Sequence, residues 1–137
     1  MYRNILLGVV AILISLNAGG QNVYDLRTEG MKEPLGIDNI QPHFSWIISS
    51  KNPFFQTAYE LEVASSPTRL KEGKADVWKS GEVLSDETVM VAYKGNQLQP
   101  RQMYYWHVRS KSHKGWTPWS DIQRFGIGKI GRASCRE

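Results

Sequence analysis

Several short stretches between Gln21 and Gly128 alternate apolar and polar residues with a period of two, whereas a helical period is never sustained. Such alternation places every second side chain on the same face of a β-strand. It is clearest at residues 44–48, 56–64 and 104–109, and these stretches are separated by Gly, Pro, Asn and Ser residues that favour turns. The pattern predicts an all-β, antiparallel sandwich of about seven strands.

The same alternation predicts which side chains fill the interior of the sandwich. In the three clearest strands, large apolar residues occupy one face and should pack together. The opposite face carries Glu60 and Glu62 in one strand and Tyr105, His107 and Arg109 in another, and we expect these side chains to face solvent. The predicted core residues are Trp46, Tyr59, Leu61, Val63, Tyr104, Trp106 and Val108.

Weaker patterns predict the remaining elements. In one of them, Val89, Val91 and Tyr93 should share the inner face of a strand. A bulge near Asp121 would reconcile the irregular alternation of the last strand. These further elements are strands at residues 23–29, 77–79, 88–93 and 119–125, and a helical turn at residues 68–74.

Residues 1–20 have the layout of a secretory signal peptide. Arg3 supplies a positive start, residues 5–16 are apolar, and small residues follow at positions 18–20. The apolar run is shorter than the roughly 20 residues that span a bilayer, and no cysteine follows it for lipid attachment. We therefore predict cleavage before Gln21 and export to the periplasm or the extracellular space. The alternative is an uncleaved N-terminal anchor.

Residues 129–137 differ in character from the stretch before them. They show no periodicity and include Cys135, the one cysteine of the chain. Back-translation of residues 130–137 gives DNA similar to a short-read sequencing adapter. We therefore predict a non-native or disordered tail, in which case Cys135 is no thiol site and the true sequence after Gly128 is different. The alternative is a genuine frayed tail.

The formal charge of the chain is +4, from 17 cations and 13 anions, but much of the excess lies at the ends. Residues 21–128 contain 13 cations and 12 anions, a net charge near +1. A nearly neutral body gives no electrostatic reason to bind nucleic acid or an anionic membrane. We expect neither partner, and no membrane contact beyond the signal peptide.

No catalytic residue, metal ligand or cofactor is expected in this chain. His43, His107 and His113 lack the spacing of a metal site, and no nucleotide-binding or nucleophile motif is present. Glu60 and Glu62 should have Cα atoms about 6.6–6.8 Å apart on a strand, near the roughly 6.5–9.5 Å carboxyl separation of inverting glycosidases. They would project in parallel from an open face, without the distinct environments that an acid and a base need. We interpret them as surface residues.

Aromatic residues outside the predicted core are weak candidates for contacts with a sugar or with another domain. Trp78, Trp116 and the outward-facing Tyr105 form this group, and Trp116 lies in an apparent loop tip at residues 114–118. A seam with a neighbouring domain is favoured over sugar binding, because fixed interfaces bury aromatic anchors. Trp119 should instead pack under the loop.

The pattern Leu98-x-Pro-x-x-x-Tyr104-x-Trp-x-Val108 resembles the E–F corner and F strand of a fibronectin type III domain. In that corner a tyrosine hydroxyl bonds to backbone a few residues upstream. The resemblance assigns this role to Tyr104. It also places Trp46 on the second strand, and Trp119-Ser120 at the opening of the last strand.

Longer phrases resemble the N-terminal domain of bacterial α-L-rhamnosidases of glycoside hydrolase family 78, Bacteroidetes type. They lie at residues 33–46, 56–66, 77–81 and 104–109. The resemblance implies a fibronectin-like module that precedes further β-domains and an (α/α)6 barrel, whose acidic residues hydrolyse terminal α-L-rhamnose with inversion. No phrase of that barrel is found here, so no catalytic residue carries over.

The resulting expectation is a non-catalytic accessory module that packs against and positions the downstream domains of an exported rhamnosidase. Plant or pectic glycans are a second, weaker class of partner. Two alternatives stay open: a free-standing carbohydrate-binding module and a generic adhesion-type fibronectin module.

Overall fold

The computed structural model describes residues 21–129. The predicted signal peptide at residues 1–20 lies outside the described residues, and so does the predicted tail from residue 130 onward. The domain boundaries at both ends therefore stay predictions.

Eight strands and one short helix form the described part of the chain. The helix α1 (Pro67–Lys71) follows Ser66, whose hydroxyl accepts a hydrogen bond from the Arg69 amide, and a proline suits its first turn. Between residues 21 and 129, no helix has the length and apolar character needed to cross a membrane. The strands are β1 (Asn22–Thr28), β2 (His43–Ser49), β3 (Ala58–Ala64), β4 (Trp78–Lys79), β5 (Val91–Ala92), β6 (Met103–Ser112), β7 (Gly115–Trp116) and β8 (Gln123–Gly126).

The strands form two antiparallel sheets that pack around one core. The first sheet has the order β1-β2-β5, and the second has the order β4-β3-β6 with β7 and β8 both beside β6. β7 pairs with the end of β6 and β8 with its beginning, so the two short strands act as one interrupted strand. This arrangement confirms the predicted all-β sandwich.

The core is built from aromatic rings that reach across from both sheets. All seven side chains predicted for the interior are at most 7% exposed. The ring of Phe44 in β2 lies 4.3 Å from that of Trp106 in β6 and 5.7 Å from that of Phe125 in β8. The indole nitrogen of Trp46 donates a hydrogen bond to the Ser110 hydroxyl at 3.2 Å, so its polar atom is satisfied inside the core.

The segment at residues 88–93 differs from the prediction. Only its Val91–Ala92 part is a strand, and Val89 is 63% exposed instead of sharing the inner face with Val91 and Tyr93. Met90 between them has a φ of +59°, a left-handed conformation that interrupts the alternation of a strand. The side chain of Val89 therefore points away from the core.

The irregular last strand contains extra residues, as its weak alternation indicated. Lys111 pairs with Trp116, and Trp106 pairs with Gln123, so five steps along β6 correspond to seven along its partner. The two extra residues lie between β7 and β8. Regular pairing resumes only at Gln123, four residues later than predicted from position 119.

Tyr104 closes the connection between β5 and β6. Its hydroxyl accepts a hydrogen bond from the Gln99 amide at 2.8 Å, and its ring stacks on Phe125 with centroids 5.6 Å apart. Leu98 next to this bond is 1% exposed. The corner is thus held by one polar contact and by buried apolar side chains on either side of it.

We expect Tyr104→Phe to lower the free energy of unfolding of the 137-residue chain by about 1 kcal/mol, because the Gln99 amide loses its acceptor while the ring stays packed. Urea denaturation measures the change. Tyr105→Phe removes a hydroxyl from the opposite face of β6 and should have a clearly smaller effect. Equal losses in the two variants would contradict a specific role of the corner hydrogen bond.

Candidate functional site

The outer face of the five-stranded sheet gathers most of the charged and aromatic residues that the sequence singled out. β3 and β6 lie side by side, with Glu60 opposite Arg109 and Glu62 opposite His107. Lys111 follows two positions further along β6 and therefore shares this face. The geometry of these side chains decides what the face can do.

Glu60 forms an ion pair with Arg109 through two hydrogen bonds to one carboxylate oxygen. Both Nε and Nη2 of Arg109 donate hydrogen bonds to Oε1 of Glu60, at 3.0 and 2.7 Å. Opposite charges that stand directly across two strands stabilise the pairing. The carboxylate is therefore occupied within the sheet.

Glu62 and His107 form a second pair, and it is buried. Oε1 of Glu62 lies 3.0 Å from Nε2 of His107, and the two residues are only 7% and 5% exposed. The prediction that both side chains face solvent is wrong. The helix α1 packs against β3 and β6, and the ring of Trp119 lies on the imidazole, so that elements distant in sequence cover the pair.

These ion pairs show whether the two glutamates, whose spacing is close to that of the catalytic carboxyl groups of an inverting glycosidase, are arranged as such a pair. Glu60 and Glu62 project from the same face of one strand, and each is engaged by a basic side chain of β6. An inverting glycosidase instead places its two carboxyl groups on either side of the scissile bond. The arrangement is that of a cross-strand charge network.

Two tryptophans interleave with the basic side chains of β6. The Trp119 ring stacks on the His107 imidazole, with centroids 4.0 Å apart and 16° between the planes. The guanidinium carbon of Arg109 lies 4.7 Å from the Trp119 ring centre and 4.4 Å from that of Trp116, and the Lys111 ammonium lies 5.4 Å from the Trp116 ring centre. We call this row the ladder, in the order His107, Trp119, Arg109, Trp116, Lys111.

The ladder depends on hydroxyl groups of residues 116–120 that bond to β6. The Thr117 hydroxyl accepts a hydrogen bond from the Ser110 amide at 3.1 Å, and the Ser120 hydroxyl accepts one from the Val108 amide at 3.1 Å. These hydroxyl groups accept hydrogen bonds from amides of β6 at the place where the two extra residues disturb the regular backbone hydrogen bonding. The hydroxyl residues are buried, and the flanking tryptophans lie outward over β6.

The positions of Trp116 and Trp119 both differ from the predictions. Trp116 belongs to β7 and not to a loop tip, and Trp119 lies on the outer sheet face and not under a loop. Basic side chains contact both rings, so the ring faces that they cover are not open to a stacking sugar. An adjoining groove of about 690 Å³ is lined by Trp119 and by polar residues that include Asp121 and Gln123.

The other two aromatic candidates, Trp78 and Tyr105, also pack against neighbouring residues. Trp78 is half-buried, and its ring meets the Tyr93 ring edge-on at 5.1 Å. Gly95 lies so close that a Cβ atom there would come within 2.4 Å of the Trp78 Cβ, which makes this a tight packing contact. Tyr105 is half-buried on the outer face, between Ala64 of β3 and Arg124 of β8.

Sequence reasoning missed the ladder because of its spacing. Residues three apart, such as Trp116 and Trp119, point to opposite faces of a regular strand. The extra residues between β7 and β8 bring both rings to one face, and the basic residues at alternate positions of β6 were the available signal. Among residues 21–129, no group of three or more His, Cys, Asp or Glu side chains is arranged to hold a metal ion.

The pKa of His107, the buried histidine of the ladder, is shifted. Burial lowers the pKa of His107 below its ordinary value, and the positive charge of Arg109 acts in the same direction. The carboxylates of Glu62 and Glu60 oppose this shift but do not reverse it. The folded protein therefore binds a proton at His107 less readily than the unfolded chain does.

The two-sheet topology, the tyrosine corner and the core tryptophan of β2 define an immunoglobulin-like sandwich of the fibronectin type III kind. The model of one family, the Rha78A-like N-terminal immunoglobulin domains, matches residues 23–131. The chain belongs to this family.

Relatives and solved structures agree with this assignment. An α-L-rhamnosidase from Streptomyces avermitilis is 40% identical over 105 residues, which cover 75% of this chain and 10% of that protein. One from Formosa agariphila is 37% identical over 107 residues, covering 76% and 11%. The solved α-L-rhamnosidase from Dictyoglumus thermophilum superposes with a TM-score of 0.77 at 35% identity, covering 82% of this chain and 13% of that one. The chain thus spans about a tenth of the length of the curated relatives it matches.

We expect the free energy of unfolding to fall as the pH drops below about 6.5, the ordinary pKa of histidine. Because the folded-state pKa of His107 is lowered, the unfolded state takes up the proton first, and the contribution of the neutral imidazole is lost as the pH falls toward the folded-state pKa. Urea denaturation at a series of pH values measures the slope.

His107→Gln should flatten that slope, since glutamine can still donate to Glu62 but does not titrate. His113→Gln removes an exposed histidine and serves as the control for the substitution itself. An unchanged pH dependence in His107→Gln would contradict this role of the buried pair.

Proposed function

We propose that residues 21–128 form a non-catalytic accessory module at the N-terminus of an exported α-L-rhamnosidase of glycoside hydrolase family 78. Its role is to pack against the domains that follow and to hold them in a fixed position. The full-length protein would hydrolyse terminal α-L-rhamnose from glycosides, with plant or pectic glycans as its source. Its place would be the periplasm or the extracellular space.

The observation that carries this proposal is the way in which the chain leaves the sandwich. Backbone hydrogen bonds hold the end of β8 and the residues after it, from the Gly126 amide to the Pro34 carbonyl and from the Gly128 amide to the Ile37 carbonyl, both at 2.8 Å. On the other side, the Arg101 amide donates to the Ile127 carbonyl at 2.8 Å. A chain fixed on both sides up to Gly128 transmits the orientation of the sandwich to whatever follows it.

The outer sheet face supports a non-catalytic role. Glu60 and Glu62, the acidic pair with a suggestive spacing, are bound to Arg109 and His107. A glycosidase needs one carboxyl group that donates a proton and another that activates water or attacks. Carboxylates committed to neighbouring strands serve the stability of the sheet instead.

Neither alternative role has comparable support. A carbohydrate-binding module would need free aromatic faces, whereas the rings of Trp116 and Trp119 are in contact with basic side chains of the ladder. A generic adhesion module would not be expected to match α-L-rhamnosidases, whereas these relatives match about three quarters of this chain. Export rests on the signal-peptide pattern of residues 1–20.

Deletion of residues 21–128 from the full-length protein tests the proposal. We expect a lower melting temperature, a larger aggregated fraction and a reduced kcat/KM on an aryl α-L-rhamnoside, because the later domains lose a packed neighbour. Tyr104→Phe in the full-length protein is the control, since it weakens the sandwich without removing it. Unchanged stability, solubility and kinetics after the deletion would contradict the proposal.

A further inference from the structure

An apolar surface lies beside the point where the chain leaves the sandwich. Met31 and Leu35 are large hydrophobic residues that are 46% and 64% exposed, and they line a groove of about 470 Å³ together with Pro34, Gly36 and Ile37. We call this patch, made of Met31, Leu35 and Gly36, the exit surface. Exposed apolar side chains grouped in one place mark contact sites more often than scattered ones do.

The exit surface touches the departing chain directly. A Cβ atom on Gly126 would lie 2.9 Å from the Leu35 carbonyl oxygen, and one on Gly128 would lie 3.2 Å from the Gly36 carbonyl oxygen. The two glycines therefore allow an approach that a larger residue would obstruct. Residues that follow Gly128 begin their path at the edge of this apolar patch.

We infer that the exit surface is the docking site for the protein domain that follows in the chain, with Leu35 as the apolar anchor. This inference rests on the proposed accessory function and names the surface through which it acts. The partner is an apolar patch of the next domain, which is covalently joined to the sandwich through the chain after Gly128. The exposed side chains of Lys32 and Asp38 provide a polar rim.

The small size of the patch argues for a tethered partner. An interface between separate proteins usually buries about 1,200–2,000 Å², more than two exposed aliphatic side chains can offer. A covalently linked neighbour is present at an effective concentration in the millimolar range, so a much smaller contact is enough. Continuity of the chain at Gly128 supplies such a neighbour.

A second apolar patch provides a matched comparison. Phe55 and Val89 are 73% and 63% exposed and lie with Ile47 around the end of the sandwich where β2 finishes and β3 begins. The pairing register places this end opposite the exit of the chain, because β8 pairs with the first residues of β6, whereas the start of β3 pairs with the last ones. In the other sheet, the start of β2 lies near β8 through the contact of Phe44 with Phe125. Val89 is as exposed as Leu35 but far from Gly128.

The test compares Leu35→Asp with Val89→Asp in the full-length protein. Each charge is placed on a side chain that is about equally exposed, so neither should unfold the sandwich itself. A carboxylate at position 35 would be unfavourable in an apolar interface and should weaken docking. We therefore expect Leu35→Asp to expose the connection and to increase the rate of limited proteolysis just after Gly128 by about tenfold or more. Val89→Asp should leave that rate unchanged.

Two further measurements keep the result interpretable. Both variants in the 137-residue chain should retain the wild-type melting temperature, which separates lost docking from damage to the sandwich. Leu35→Ala adds no charge and should give a smaller increase in cleavage in the same direction. An increase seen with Leu35→Asp but not at all with Leu35→Ala would overturn the role of Leu35 as an apolar anchor.

The outcomes also separate this inference from the proposed function. Faster cleavage in Val89→Asp alone would overturn the exit surface as the docking site and leave a packing role through the opposite end. No change in either variant would overturn docking at the exit surface. The accessory function itself fails only if the deletion of residues 21–128 is also without effect.

Discussion

The pairing of β3 with β6 is the constraint on which the rest of the structure depends. Seven consecutive residue pairs join the two strands, from Ala58 opposite Lys111 to Ala64 opposite Tyr105. Side chains alternate between faces, so a slip of one residue in either strand would turn its apolar set outward. A slip of β3 would also carry the charges of Glu60 and Glu62 into the core, at a cost of several kcal/mol for each unpaired buried ion. The register is therefore strongly specified.

The same register builds the outer face. Because Glu60 and Glu62 stand opposite Arg109 and His107, both carboxylates have partners within the sheet, and the two tryptophans of the interrupted strand then pack onto the side chains of β6. The outer face of the five-stranded sheet is therefore largely covered by its own side chains and shielded from solvent. Exposed apolar side chains remain elsewhere, with Met31 and Leu35 at the exit of the chain and Phe55 and Val89 at the opposite end.

The sequence was sufficient for those features that depend on local periodicity. The inner faces of β3 and β6 follow from alternation alone, and the corner at Tyr104 follows from a short motif. The buried state of His107 could not be predicted, because it depends on α1 and Trp119, which reach it from elsewhere in the chain. The exposure of Val89 was missed for a different reason, since one left-handed residue, Met90, breaks an alternation that looks regular in the sequence.

Native-state amide hydrogen exchange on the 137-residue chain tests the central claim most directly. If the β3–β6 pairing holds the sandwich together, the amides of these two strands should be the slowest to exchange, and should exchange together with a free energy equal to that of global unfolding. Amides in the segment at residues 84–90 should exchange much faster. Exchange of β3 and β6 at different rates, or as fast as that segment, would contradict the account.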